Sequence, residues 1–140
     1  MHLEYTVIEG DFVNAGSASS SIKKTLKQLN VNPSIVKRVV VALDEAEVNA
    51  IAHAYGGVVT ADIDAGKILL RVIDKGPGIP DIDWAMQEGH STASPEVRNM
   101  GFGAGRLYFS MMSVCMGAKV LHSAGPHNPY LYGFIFVQFK

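Results

Sequence analysis

The fold is decided by residues 33–80, which read PSIVKRVVVALDEAEVNAIAHAYGGVVTADIDAGKILLRVIDKGPGIP. The first part of this stretch predicts a long helix. Asn32 can cap its start, and Pro33 suits the first helical position because that position needs no backbone donor. Apolar side chains then recur with helical period as far as Tyr55, where a pair of glycines ends the pattern.

The rest of the stretch predicts a β-hairpin, with strands at 58–64 and 67–74 and a short Ala-Gly turn between them. Upstream, apolar alternation predicts a strand over 3–9. A helical stripe over 16–29 joins Ala18, Ile22, Leu26 and Leu29. Downstream, the sequence predicts a helix over 104–116, a strand over 118–123 and a last strand over 130–139.

The predicted order of elements is β-α-α-β-β-loop-α-β-β. Two consecutive helices and the hairpin connections disfavour a doubly wound parallel sheet. The predicted fold class is therefore α+β, a two-layer sandwich with helices on one face of a mixed, mainly antiparallel sheet. We expect a single domain over 1–140, because no repeat or linker of biased composition divides the chain.

Composition narrows the classes of function. Twelve basic and thirteen acidic residues give a formal charge of −1, which lacks the basic footprint of nucleic-acid binders. Cys115 is the single cysteine, so an intramolecular disulfide and a multi-cysteine zinc site are excluded. No secretory signal and no apolar run of about 20 residues are visible. We expect a cytoplasmic protein with neither nucleic-acid nor membrane partners.

Three polar residues form a line along the predicted long helix. Glu45, Asn49 and His53 recur every four residues, so their total angular drift is about 80°. A carboxylate can act as a general base, and a carboxamide oxygen can coordinate a hard cation such as Mg²⁺. The alternative is an ordinary amphipathic helix whose polar face contains these residue types. Glu47 projects towards the apolar side, and the sequence assigns it no role.

A second motif, DKGPGIP at 74–80, follows the apolar strand directly. Asp74 at a strand end can accept hydrogen bonds from an exocyclic amine. Gly76 and Gly78 let the backbone approach a flat ligand. A plain turn would use the same residues.

A third motif, GFGAGR at 101–106, opens the predicted helix that follows it. Glycines before a helix start expose backbone N–H groups at the positive end of the helix dipole, which favours phosphate. The motif lacks the Gly-Lys-Ser/Thr of a P-loop and the βαβ context of a dinucleotide fingerprint, so both are rejected.

In this order the three motifs resemble the nucleotide site of the GHKL ATPase superfamily, which includes gyrase, Hsp90, histidine kinases and MutL. The likeness covers nearly the whole chain. Within the superfamily, the wording is most similar to small bacterial anti-sigma factor and switch-protein serine/threonine kinases. The stretches that carry this likeness are NAIAHAY at 49–55, DKGPGIPD at 74–81, GHST at 89–92 and MGFGAG at 100–105. The transducer or phosphoacceptor domains of other branches do not fit in 140 residues.

The resemblance implies a role for each motif. Glu45 matches the catalytic glutamate that orients or deprotonates the attacking hydroxyl. Asn49 matches the Mg²⁺ ligand, and Asp74 matches the acceptor of the adenine amino group. An ATP lid would occupy about residues 75–100. The other positions expected to contact ATP are His53, Lys75, Gly76, Gly78, Ile79, Gly101, Phe102, Gly103, Ala104, Gly105 and Arg106.

The function that the resemblance implies is a Mg-ATP-dependent serine/threonine protein kinase. It would act as an anti-sigma regulatory factor and phosphorylate a small STAS-type antagonist, and a sigma factor would be a further partner. Glu45 favours this function, since a pure binder has no evident need for a base there, but two departures leave room for an alternative, an ATP-dependent protein-binding switch without phosphoryl transfer. The last strand lacks the threonine that many relatives place near adenine, and the helix after Gly105 is unusually apolar. Where exposed, that helix would suit a partner or a second copy of the chain in a homodimer.

Overall fold

A computed structural model of the chain describes residues 1–53, 55–74, 76, 95 and 132–138. The elements are β1 (His2–Val7), a short 3-10 turn (Phe12–Asn14), α1 (Ser17–Gln28), α2 (Pro33–His53), β2 (Gly57–Ile63), β3 (Lys67–Asp74) and β4 (Tyr132–Gln138). The helix expected over 104–116 and the strand expected over 118–123 lie outside the described residues. Within the described ranges, no helix combines the length and apolar character needed to cross a bilayer.

Within the described residues, the strands form one four-stranded sheet in the order β1-β2-β3-β4. All three pairings are antiparallel, with Tyr5 opposite Val59, Ala61 opposite Leu70, and Leu70 opposite Ile135. Helix α2 contacts all four strands, and α1 packs on α2. This arrangement confirms the α+β prediction of helices on a mainly antiparallel sheet.

The central hairpin is closed as predicted. The Asp64 N–H donates to the Lys67 carbonyl at 3.0 Å, and the Gly66 N–H donates to the Asp64 carboxylate at 3.2 Å. The second bond also holds the pKa of Asp64 below its usual value, because the backbone N–H stabilises the charged form. Strand β3 has the predicted bounds, Lys67–Asp74.

Helix α2 begins as predicted and ends earlier. The Asn32 side-chain oxygen accepts the Ser34 N–H at 2.9 Å, which satisfies a donor that the helix leaves unpaired. The helix ends at His53 rather than at Tyr55. Tyr55 has φ 53° and Gly56 has φ 78°. Both residues are therefore in the left-handed region, which stops a right-handed helix.

The core lies between the sheet and the helices. Its fully buried members include Ile22, Leu26, Val39, Leu43, Val59, Ala61, Ile68 and Leu70. Leu29 was expected to continue the α1 stripe, but it is 45% exposed. The reason is local: α1 ends at Gln28, and Leu29 takes a non-helical ψ of 7° as the C-cap, so its side chain leaves the buried stripe.

The outer face of the sheet carries a polar cluster. The His2 ring nitrogen Nδ1 lies 2.6 Å from the Asp62 carboxylate, and Arg71 donates to the other oxygen of the same carboxylate. Hydrogen bonds from His2 and then Arg71 hold the pKa of Asp62 below its ordinary value. The cluster therefore favours ionised Asp62 on this exposed face.

Candidate functional site

The polar line of α2 lies at the edge of the core. Glu45 and Asn49 are each half-buried, one turn apart, while their neighbours Ala46 and Ala50 are buried. His53 is the last residue of the helix. This half-buried position leaves the predicted contact of Glu45 and Asn49 with a ligand as a prediction.

Asp74 is a buried carboxylate at the end of β3. It is 3% exposed, and its Oδ1 accepts the Gly76 N–H at 2.8 Å. This turn, in which an aspartate side chain accepts a backbone N–H two residues on, fixes the chain as it leaves the strand. The carboxylate and the Gly76 backbone are therefore presented together at one end of the sheet.

Two glycines bring this strand end to the end of α2. The Gly56 N–H donates to the carbonyl of Ala50, the residue after Asn49, at 3.0 Å. Gly57 then pairs with Asp74 in the sheet. A Cβ on Gly57 would lie 2.3 Å from the Ile73 carbonyl oxygen and 2.9 Å from the Asp74 Cα, so only glycine allows this approach. The fold thus places Asp74 at the same end of the domain as the end of the α2 polar line.

The loop after β1 packs against the same end of the domain, next to the end of α2. The Gly10 N–H donates to the Ile51 carbonyl at 3.0 Å. A Cβ on Gly56 would lie 2.4 Å from the Val7 carbonyl oxygen. The end of β1, the end of α2 and the start of β2 are therefore held together behind the candidate site.

Glu47 has a role that the sequence analysis missed. It is 1% exposed, and its two carboxylate oxygens accept the N–H groups of Ala18 at 3.2 Å and Ser19 at 3.1 Å. These N–H groups belong to the first turn of α1, whose N-cap residue, Gly16, has no side chain to bond them. Glu47 supplies the missing cap from another helix and places negative charge at the positive end of the α1 dipole.

A second hydrogen bond joins the start of α1 to α2. The buried Ser19 hydroxyl donates to Asp44 Oδ1 at 2.5 Å, and the Gly16 carbonyl oxygen lies 3.0 Å from the same hydroxyl. Asp44 and Glu47 flank Glu45 in the sequence. The start of α1 is thus bonded to α2 at the level of the candidate catalytic glutamate. The sequence does carry a signal for the capping role of Glu47: a glycine stands at the N-cap of α1, and an acid stands on the apolar side of the next helix.

The remaining predicted site residues cannot be placed in this geometry. Lys75, Gly78, Ile79 and the whole of 101–106 lie outside the described residues, as does the expected lid apart from Gly76 and Pro95. In the part of the chain that the structure describes, no group of three or more His, Cys, Asp or Glu side chains is suited to hold a metal ion.

Comparison with known proteins supplies the family. Residues 10–106 match the histidine kinase-like ATPase domain. The chain, with its α+β fold, therefore belongs to this family of ATPase domains, and ATP is the ligand that membership implies. The resemblance drawn from the three motifs is thereby confirmed.

Within the family, the chain is similar to anti-sigma F factors. It is 32% identical over 123 residues to the anti-sigma F factor of Thermoanaerobacter sp. (strain X514), and the aligned region covers 80% of this chain and 86% of that relative. It is 30% identical over 129 residues to that of Geobacillus stearothermophilus, with 88% and 82% covered. The anti-sigma F factor of Clostridium kluyveri (strain NBRC 12016) is 32% identical over 115 residues, with 79% and 77% covered.

Proposed function

We propose that this chain is a Mg-ATP-dependent serine/threonine protein kinase and an anti-sigma regulatory factor. Its substrate would be a small STAS-type antagonist, and a sigma factor would be a second partner. The observation that carries the proposal is the buried Asp74 carboxylate at the same end of the domain as the half-buried polar line of α2. The similarity to anti-sigma F factors over most of the chain supports the choice of partners.

The environment of Asp74 suits adenine. The Asp74 carboxylate accepts the Gly76 N–H, and an ionised carboxylate is an acceptor only. A buried carboxylate favours a ligand edge that donates, such as the exocyclic amine of adenine. It disfavours guanine, which has a carbonyl oxygen at the same ring position. Asp74 would therefore select ATP over GTP.

The polar line of α2 suits a magnesium ion bound together with phosphates. The Asn49 carboxamide and the Glu45 carboxylate are hard oxygen donors one turn apart at the edge of the core. Mg²⁺ is commonly held by one or two protein oxygens, substrate phosphates and water. When bound, the ion would neutralise phosphate charge. Asn49 is the residue that would hold it.

Glu45 would orient the serine or threonine hydroxyl of the partner and accept its proton. The hydroxyl oxygen forms a bond to the γ-phosphorus while the bond from that phosphorus to the bridging oxygen breaks, and ADP leaves with the electron pair. Phosphoryl transfer asks the protein mainly for positioning and charge stabilisation. The further ligand positions in this proposal are His53, Lys75, Gly76, Gly78, Ile79, Gly101, Phe102, Gly103, Ala104, Gly105 and Arg106.

The test is transfer from γ-labelled ATP with Mg²⁺ to proteins of a soluble extract of the source organism. Wild type is compared with Glu45→Ala and with Glu4→Ala, a matched change of an exposed glutamate on the opposite face of the sheet. We expect wild type and Glu4→Ala to label a small protein on serine or threonine, identified by mass spectrometry. Glu45→Ala should bind ATP and label nothing.

Two results would contradict the proposal in different ways. If all three proteins bind ATP and no label depends on Glu45, the protein-binding switch without phosphoryl transfer becomes the better function. If Glu45→Ala loses ATP binding together with labelling while its circular dichroism is unchanged, the role given to Glu45 is wrong.

A further inference from the structure

The side of the domain formed by α1 and the start of α2 is basic. Residues 17–41 contain five basic residues and no acidic one, although the whole chain has a formal charge of −1. The five are Lys23, Lys24, Lys27, Lys37 and Arg38. The sequence pattern alone fits an ordinary solvated helix face, so the case for a binding surface depends on what lies between these residues.

An open groove of about 650 Å³ lies between the end of α1 and the start of α2. Its apolar lining includes Val36, which is buried, Val40, which is half-buried, and Val41, which is 42% exposed. This volume is within the range of about 300–1,000 Å³ found for ligand-binding pockets. The groove is therefore large enough to take several apolar side chains of a partner.

Three lysines border the groove on both helices. Lys23 and Lys27 of α1 and Lys37 of α2 line it, and all three are exposed. Among the described residues, no carboxylate forms a salt bridge with any of them. An apolar groove bordered by unpaired ammonium groups is complementary to a segment that is apolar on one side and acidic along its edges.

The groove also leads towards the candidate site. Lys37, Val41 and Glu45 recur every four residues along α2. At 1.5 Å per residue, Val41 lies about 6 Å and Lys37 about 12 Å before Glu45 along the helix axis. A segment bound in the groove would therefore lie on the side of α2 that carries Glu45, one to two helical turns before it, while the rest of the candidate site lies further along the helix.

We propose that this groove docks an acidic amphipathic helix of the protein partner. Apolar side chains on one face of that helix contact the valines, and carboxylates on its flanks pair with the three lysines. A nucleic acid would pair with the lysines but leave the valines uncovered, and a flat membrane surface would not reach the lining of a groove. The docking surface is separate from the ATP site and does not depend on phosphoryl transfer.

The test measures fluorescence anisotropy of a labelled synthetic peptide of about five helical turns, with leucines on one face and glutamates on its flanks. The Lys23→Glu/Lys27→Glu/Lys37→Glu variant should raise the Kd at least about tenfold, because the attraction is reversed. Lys24→Glu is the matched control on the same helix, since Lys24 does not line the groove. It should change the Kd by less than about threefold.

A second pair of variants tests the apolar part of the groove. Val41→Glu should weaken peptide binding about tenfold or more by placing like charge in the groove. Val13→Glu, at a 94% exposed valine outside the groove, should leave it unchanged. Circular dichroism and ATP affinity should match wild type in every variant.

Four results would overturn the proposal. They are failure of wild type to bind the peptide, equal binding of a scrambled peptide of the same composition, an unchanged Kd for the triple lysine variant, and an unchanged Kd for Val41→Glu. Duplex DNA or phosphatidylserine vesicles serve as competitors. If either displaces the peptide with the same lysine dependence, the surface is a general anion-binding face rather than a protein-docking groove.

Discussion

Replacement of Glu47 by alanine tests the contact that holds the start of α1. The Glu47 carboxylate accepts two backbone N–H groups, from Ala18 at 3.2 Å and Ser19 at 3.1 Å. All three residues are 1% exposed. Alanine at this position leaves both donors buried, with neither a side-chain acceptor nor ready access to water.

The cost follows from the number of donors left unpaired. A buried hydrogen-bonding group that loses its partner destabilises a protein by about 1–3 kcal/mol. Two donors, together with the lost charge at the positive end of the α1 dipole, predict a loss of about 2–6 kcal/mol in the free energy of unfolding. For a chain of this length, 1 kcal/mol corresponds to about 3 °C in Tm, so Tm should fall by about 6–18 °C.

The assay is urea unfolding followed by far-ultraviolet circular dichroism at neutral pH. Glu47→Gln keeps the size of the side chain and one carbonyl acceptor, so about half of the loss is expected. Asp44→Asn changes the neighbouring exposed acid that accepts the Ser19 hydroxyl, and should cost about 1 kcal/mol or less. If Glu47→Ala unfolds within about 0.5 kcal/mol of wild type, the contact does not stabilise α1, and the reasoning is refuted.

Three further predictions concern the site and the sheet. Asp74→Asn should weaken ATP binding about 10- to 100-fold, because a charge-assisted hydrogen bond to adenine is lost, and should reduce the preference for ATP over GTP. If ATP titrations of mutant and wild type give the same curve, adenine binds elsewhere. Gly10→Ala should lower the free energy of unfolding by about 1–3 kcal/mol, because Gly10 has a positive φ. Gly56→Ala should lower it by clearly more, because Gly56 also has a positive φ and its added Cβ would lie 2.4 Å from a backbone oxygen. Equal losses of Tm in the two variants would contradict this. The lowered pKa of Asp62 stabilises the fold above its unfolded value of 3.8, and this stabilisation disappears as pH falls through the folded pKa. The difference in stability between Asp62→Asn and wild type should therefore be present at neutral pH, begin to decrease as pH falls towards 3.8, and vanish only below the folded pKa. A difference that persists in strong acid would contradict the assignment.

Local patterns in the sequence predict most of the described elements. Strand β3 has the expected bounds, and α2 starts behind its Asn32 cap, because alternation, helical period and capping act within a few residues. The end of α2 and the exposure of Leu29 differ from expectation because helix ends depend on backbone angles that single residues adopt in context.

For the candidate site too, part was predictable from the sequence and part was not. Each motif alone also fits an ordinary turn or helix face, and the resemblance of all three together to the family is what points to ATP; the family itself is shown by the match over residues 10–106. The roles of Glu45, Asn49 and Asp74 stay predictions until the variants are measured. Their relative placement is a tertiary fact, since it depends on the Gly56 hydrogen bond to α2 and on the pairing of Gly57 with Asp74.

Patterns in the sequence are enough to indicate the class of protein, an α+β domain with three motifs in the order that the histidine kinase-like ATPase family uses. The contact made by Glu47, and the groove that lysines of α1 and α2 border, are visible only in the three-dimensional structure. The Glu47 contact spans 29 residues of chain, from Ala18 to Glu47. The physical reason is that helical period and capping are encoded locally, whereas burial of a carboxylate against another helix depends on how the two helices pack.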